Sequence, residues 1–415
     1  MEYEELDMKC RHCHAPLSLP FIDLGTAPPS NAYVTQSDLA APEKWFPLRV
    51  FTCTTCWLVQ TEDYAHHADL FAGDYAYFSS FSQSWLAHAK SYVSNMTQRF
   101  ELGAASLVVE VASNDGYLLQ YVKAAGIPCL GIEPTAGTAQ AARDKGIAVR
   151  EAFFGVELAE QLVAEGGTAD LTAANNVLAH VPDINDFVAG FARLLKPSGV
   201  ATFEFPHLMR LIAKAQFDTI YHEHFSYLSL TAVQRVFAHN GLAVFDVEEI
   251  STHGGSLRVF AQRADTQTHE AASAVAELLA REAATGVTST AYYGGLQTRA
   301  EVIKDDLVSF LIDAKRAGKK VGAYGAAAKG NTLLNFAGVR ADLLPWVADR
   351  NPAKQGKYLP GSRIPVVDEA RLQTELPDYV LILPWNLSKE IKGQLSYARD
   401  WGAKFVVCVP RLEIT

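Results

Sequence analysis

Apolar positions along this chain change their spacing three times, and the changes divide it. Residues 1–72 hold only short apolar runs broken by Pro, Gly and polar pairs, the pattern of a small loop-rich unit. Over 73–267, compact apolar runs such as 107–111 and 170–174 alternate with stretches of helical spacing such as 184–195. That alternation predicts a parallel sheet covered by helices. Residues 268–318 are rich in Ala, Glu and Leu at helical spacing, with a Gly/Thr/Tyr break near Gly286 to Gly295. They read as a connector of two long helices. Strand-like runs return at 320–324, 344–348, 379–383 and 405–409, so 319–415 is expected to form a second, smaller α/β unit. The fold class is therefore α/β, with a Rossmann-like core between two flanking units.

Composition narrows the function. Hydrophobic residues make up 49% and charged residues 20% of 415, an ordinary globular balance. A formal net charge of -10 leaves no basic surplus for nucleic acid. No uninterrupted apolar run reaches the roughly 18 residues of a membrane span, and the start (Met1, Glu2, Tyr3, Glu4, Glu5) is acidic where a secretory leader is basic. A cytoplasmic setting is expected, where paired cysteines more often hold metal than form disulfides.

Four of the six cysteines form two C-x2-C knuckles, Cys10/Cys13 and Cys53/Cys56, with 39 residues between them. Two knuckles complete the tetrahedral shell that zinc prefers, and four thiolates leave no open position, so a structural zinc is expected. His12 and His14 are alternative ligands but are expected to sit exposed on the knuckle. Cys129 and Cys408 lie in apolar runs and read as core residues.

The central block opens with a strand ending at Val111, the small-residue turn Ala112 to Gly116, and a helical run from Tyr117. That order directs backbone N–H groups and a helix start at a ligand. Glu133 ends the next strand, 23 residues beyond Glu110, near the distance at which such folds offer a carboxylate to ribose hydroxyls. The G-x-G-x-x-G pattern of dinucleotide sites is missing. The strand at 170–174, Asn175 and Asn176, the helix at 184–195, the turn at 196–199 and the returning strand resemble class I methyltransferases that use S-adenosylmethionine (SAM). That resemblance implies Glu133 on the ribose, Phe154 beside adenine, Asn175 and Asn176 at the methionine end, and Ala112, Asn114 and Gly116 in the cofactor turn. Ala112 stands where many methyltransferases have glycine, which suits alanine only if φ stays negative.

The densest chemistry is Tyr221, His222, Glu223 and His224 in an aromatic setting, supplying general bases, a carboxylate and a phenol side by side. The paired knuckles with "VVEVASNDGYLL", "YHEHFSYLS", "THGGSLR" and "YGAAAKGNTLLN" together resemble sugar C-methyltransferases that modify nucleotide-linked keto-deoxysugars, including the C-3 methyltransferase of tetronitrose formation. The resemblance runs from Met8 to the C-terminus. It implies SAM as methyl donor, a nucleotide-linked keto sugar as substrate, and deprotonation next to the ketone to give an enolate. His224 is then the base, Glu223 orients it or touches the sugar, and Tyr221 polarises the ketone. His180 and Tyr77 line the pocket, and the segment 74–80 closes over it. His222 departs from the family's acid and competes with His224. His253, Lys329, Asn331 and Asn386 are expected at the substrate, with the 321–331 turn suited to a diphosphate. Two rival readings stay open on the residues alone: a nicotinamide-dependent nucleotide-sugar oxidoreductase or epimerase, and a non-catalytic zinc scaffold.

Overall fold

The computed structural model describes residues 8–62 and 78–415, which are organised around three sheets. The N-terminal sheet has the order β1 (Leu19–Ala27), β2 (Phe46–Thr52), β3 (Val59–Thr61) and β9 (Ser226–Tyr227), all antiparallel. Its fourth strand therefore comes from far along the chain. A unit drawn at 1–72 leaves β3 with an open edge, and the stretch just after His224 fills it.

The central sheet contains β4 (Val108–Val111), β5 (Cys129–Ile132), β6 (Val149–Arg150), β7 (Ala169–Asn175), β8 (Leu195–Pro206), β10 (Leu242–Ile250) and β11 (Ser256–Arg263). Its order is β10-β11-β8-β7-β4-β5-β6, and only β11 runs antiparallel to its neighbours. This is the class I methyltransferase topology. The order reverses between β4 and β7, so a crevice opens at their carboxyl ends. Helix Ile184–Leu194 shows why the covering helices form: Ile184, Phe187, Val188, Phe191 and Leu194 make one buried stripe, and the Asp183 carboxylate accepts the Asp186 N–H at 3.0 Å as N-cap. Residues 196–199, expected as a turn, are instead absorbed into β8 as a bulge, with Leu195 opposite Ala169 but Val200 opposite Leu171. Gly199 permits this, since a Cβ there would stand 2.6 Å from the Ala169 carbonyl oxygen.

Helices Ser273–Thr285 and Leu296–Arg316 lead to the third sheet. It comprises β12 (Val321–Tyr324), β13 (Val347–Ala348), β14 (Val366–Val367), β15 (Tyr379–Ile382), β16 (Lys404–Val407) and β17 (Glu413–Ile414), ordered β14-β13-β12-β15-β16-β17. Its order reverses between β12 and β15, which brings the turn before helix Ala328–Phe336 beside Trp385 and Asn386. Among the described residues, no helix is long and apolar enough to cross a membrane.

Candidate active site and metal centre

The four Sγ atoms of Cys10, Cys13, Cys53 and Cys56 lie within 4.8 Å of one another. Both knuckles close with the same turn: His14 N–H donates to Cys10 and Trp57 N–H to Cys53, each at 2.9 Å, with φ of 59° at His14 and 64° at Trp57. A tetrahedron with Zn–S arms of about 2.3 Å has edges of about 3.8 Å, inside the observed spread. These cysteines hold one structural zinc. His14 is exposed as expected, whereas His12 is buried, pairing through Nδ1 with Asn185 at 2.8 Å and meeting the His239 ring edge-on. It docks the knuckle onto the central domain.

At the β4–β7 crevice the turn is strained by design of its sequence: Ala112, Asn114 and Gly116 have φ of 57°, 50° and 75°. Ala112 thus departs from the negative φ expected of it, and takes the left-handed conformation that disfavours an L side chain by about 1–2 kcal/mol. Glu133 ties the crevice together, its two oxygens accepting the Asn114 N–H at 2.9 Å and the Thr135 N–H at 3.0 Å. The Asn114 side chain accepts the Ser79 N–H at 2.9 Å. Asn175 donates to the Tyr117 hydroxyl at 3.5 Å, and Asn176 has φ of 55°. Among the described residues, one oxygen each of Asp115, Asn175 and Asn176 is buried without a hydrogen-bond partner, and the buried Glu110 carboxylate faces the Tyr117 hydroxyl. Such a lining fits a ligand carrying an ammonium and hydroxyl groups, as SAM does. Glu110 was missed by sequence reasoning, although an acid inside an apolar strand is itself a signal; burial pushes its carboxyl well above the usual range. Phe154 packs edge-on against Phe187 and Phe191, so the aromatic left 58% exposed beside it is Phe153.

The cluster expected to react centres on His224. Its Nδ1–H donates to the Thr219 carbonyl at 2.7 Å, which leaves Nε2 as acceptor of the Tyr221 hydroxyl at 2.8 Å. The His180 ring stands edge to face at 4.5 Å. Enclosure and the neighbouring His180 hold the His224 pKa well below the ordinary value, and burial lowers His180 and His253 to about 4. All three imidazoles are therefore neutral at physiological pH. His222 points elsewhere: its Nε2–H donates to the Pro47 carbonyl at 3.1 Å and its ring meets Phe46. Glu223, expected to orient His224 or touch sugar, has both oxygens held by the Asn31 amide at 2.8 Å, and burial raises its pKa to about 7. Thr219 and Tyr221 do the orienting instead. Asn31 carried no sequence signal, because its partner lies 192 residues away. Tyr77 lies outside the described residues.

The third sheet contributes the opposite wall. Lys329 donates to the Asn386 side-chain carbonyl at 2.7 Å and sits 4.6 Å over the Trp385 ring. Its positive charge bears on His224 and His253, lowering both. Asn331, expected at the substrate, is fully buried and its amide donates to the Ser30 carbonyl at 2.7 Å, joining the two flanking units. His253, at φ 53°, meets the Trp85 ring edge-on; Trp85 also stacks on Tyr117 and on His88, which pairs with Glu204 at 2.8 Å.

Comparison with known proteins agrees with this construction. Three family models match in order: a zinc binding domain over residues 10–71, a methyltransferase domain over 85–247 and a C-methyltransferase C-terminal domain over 251–410. The chain is 35% identical to the C-methyltransferase NovU of Streptomyces niveus over 406 residues, 98% of this chain and 96% of that one. Solved structures similar to the central part include a magnesium protoporphyrin IX methyltransferase of Synechocystis with bound SAM (17% identity, 43% of this chain, 79% of that one, TM-score 0.33). A SAM-dependent methyltransferase of Clostridium acetobutylicum is another (11% identity, 43% of this chain, 92% of that one, TM-score 0.36). The full-length match excludes the oxidoreductase and scaffold readings. This chain belongs to the C-methyltransferase family: it is a SAM-dependent enzyme with a zinc-binding N-terminal domain.

Proposed function

We propose that the enzyme methylates the carbon next to the ketone of a thymidine-diphosphate-linked 4-keto-deoxysugar, in a cytoplasmic pathway of deoxysugar synthesis. The observation that carries this reading is the Thr219–His224–Tyr221 arrangement, a neutral imidazole with a fixed tautomer and a phenol on its free nitrogen. When bound, SAM supplies an electrophilic methyl group. A ketone oxygen entering the pocket draws the Tyr221 hydroxyl away from His224, which frees Nε2. That nitrogen removes the proton from the adjacent carbon, and the C–H electron pair moves into an enolate whose oxygen Tyr221 stabilises. With SAM held in the β4–β7 crevice, the enolate carbon would be the methyl acceptor, the methyl–sulfur bond breaking to leave S-adenosylhomocysteine, and His224 would release its proton to solvent. Lys329, hydrogen-bonded to the neutral Asn386 beside the turn before helix Ala328–Phe336, suits the diphosphate, with Asn386 and His253 completing the substrate wall. The units as drawn at 1–72, 73–267, 268–318 and 319–415 supply, respectively, support, methyl donor, linkage and substrate binding.

The test is His224→Ala. It should keep SAH binding by calorimetry while losing turnover and losing deuterium exchange at the carbon next to the ketone in D2O. Near wild-type exchange would place the base elsewhere. Wild-type enzyme that binds SAH yet turns over no thymidine-diphosphate keto sugar would sink the substrate assignment.

A further inference from the structure

We infer that Asp218 and Trp385 form a clamp through which the C-terminal unit sets the tautomer of His224, which makes them positioning residues for the proton transfer; this rests on His224 being the base. The group that fixes the tautomer is the Thr219 carbonyl, which takes the Nδ1–H. Thr219 ends a three-residue helical turn, Phe217–Thr219, that belongs to no sheet. What holds this turn comes from the C-terminal unit. The Trp385 indole N–H donates to Asp218 at 2.7 Å, the Thr332 hydroxyl donates to the Ile220 carbonyl at 2.8 Å, and the Phe336 ring packs on Phe217 at 5.5 Å.

Trp385 also reaches the other side of the pocket. A Cβ on Gly254 would stand 2.6 Å from its ring, and Gln216 donates to the Gly254 carbonyl at 3.2 Å. One indole thus registers the turn under His224 against the turn bearing His253. Asp218 is fully buried, and besides the indole its carboxylate faces the Lys329 charge and the start of its own turn. A buried carboxylate is a costly way to fill space, so its use here points to the hydrogen bond it accepts. With the clamp broken, the Thr219 carbonyl is free to turn away. A neutral imidazole then populates the other tautomer, with its proton on Nε2, where no proton can be accepted. The groups that face His224 are His180, Tyr221, Tyr227, Lys329 and His253; the clamp touches one of them, since Lys329 lies over the Trp385 ring and its charge bears on Asp218, so the tautomer is the decisive readout.

The experiment is nitrogen-15 NMR of histidine-labelled, zinc-loaded, full-length enzyme, together with pH profiles. In Trp385→Phe the His224 signals should move from a single Nδ1–H form to a mixture, and kcat should fall about tenfold to a hundredfold with the KM for SAM unchanged. The acidic limb of kcat should shift to lower pH, because the Thr219 hydrogen bond opposes the lowering of the His224 pKa. Asp218→Ala should copy these effects. Asp218→Asn, which still accepts from the indole, should restore the tautomer and most of the rate. An unchanged tautomer and unchanged limb in folded Trp385→Phe and Asp218→Ala would overturn the clamp. A shifted tautomer with undiminished turnover would instead remove His224 as the base.

Discussion

The segment from Phe217 to Tyr227 is gripped from two sides, and the two flanking units grip it in different ways. The zinc-bearing unit holds it mainly through backbone: β3 pairs with β9, and the Thr61 N–H donates to the Phe225 carbonyl at 3.1 Å. The C-terminal unit holds it through side chains, those of Trp385, Thr332 and Phe336. A backbone ladder is indifferent to side-chain identity, but it exists only while the strand does. Here that strand, Val59–Thr61, starts three residues after Cys56. The side-chain grip needs no metal, yet single substitutions break it.

Zinc removal is therefore the most damaging way to probe the first grip. Without metal, four sulfurs within 4.8 Å of one another are left with weak sulfur contacts such as Cys10–Cys56 and Cys13–Cys53 at 3.5 Å, and β3 loses its anchor. Chelation, or Cys10→Ser with Cys53→Ser, should cut turnover on the order of 100-fold, the scale of a misplacement of about 1 Å. SAH affinity should change less than turnover, because the polar groups of the β4–β7 crevice, Glu133 and Asn114 among them, are held by the central domain itself. Calorimetry and turnover on the same metal-depleted sample check this, and full activity without zinc would break the comparison.

Asn31 makes the shortest side-chain contact on the zinc side, beside the looser ones of Phe46 on His222 and Thr61 Oγ1 on the His224 carbonyl. Burial raises the Glu223 carboxyl to about 7, and the Asn31 amide opposes that rise. A group whose folded pKa is raised contributes stability that is present below its unfolded value, near 4.5, and lost as pH climbs through the folded one. Asn31→Ala removes the opposing hydrogen bonds and pushes that pKa higher still. It should therefore destabilise by about 1–3 kcal/mol at pH 8 and by much less at pH 5. Thermal melts at the two pH values check the sign, and equal losses at both would mean that Asn31 acts by packing alone.

Much of this was legible before the structure. Cysteine spacing marked the metal, apolar spacing marked the two α/β units, and the aromatic-flanked run from Tyr221 to His224 marked an enclosed cluster of ionisable side chains. What local spacing does not encode is which distant backbone a side chain meets. Glu223 reads only as a partner of its neighbour or of the sugar, yet its carboxylate is met by Asn31. Asn331 sits in a turn suited to phosphate, yet it faces Ser30 across a unit boundary. Ala112 shows the converse: the positive φ usual for glycine at this position is kept despite the methyl group, because the crevice geometry outweighs local preference.

The finest separation of the two grips comes from a matched pair of hydroxyl deletions. Thr61 Oγ1 donates to the His224 carbonyl at a long 3.4 Å, while its backbone N–H separately holds Phe225. Thr61→Val keeps the ladder and should leave kcat within about twofold and stability within about 0.5 kcal/mol. Thr332→Val removes a 2.8 Å bond to the Ile220 carbonyl from a buried threonine, with no backbone contact in reserve. It should cost about 1–3 kcal/mol in thermal stability and lower kcat more than Thr61→Val does. Denaturant melts and kcat for the two variants, measured side by side, give the difference. Equal effects would mean that both units hold the segment alike, and the contrast between a metal-dependent ladder and a substitution-sensitive clamp would fall.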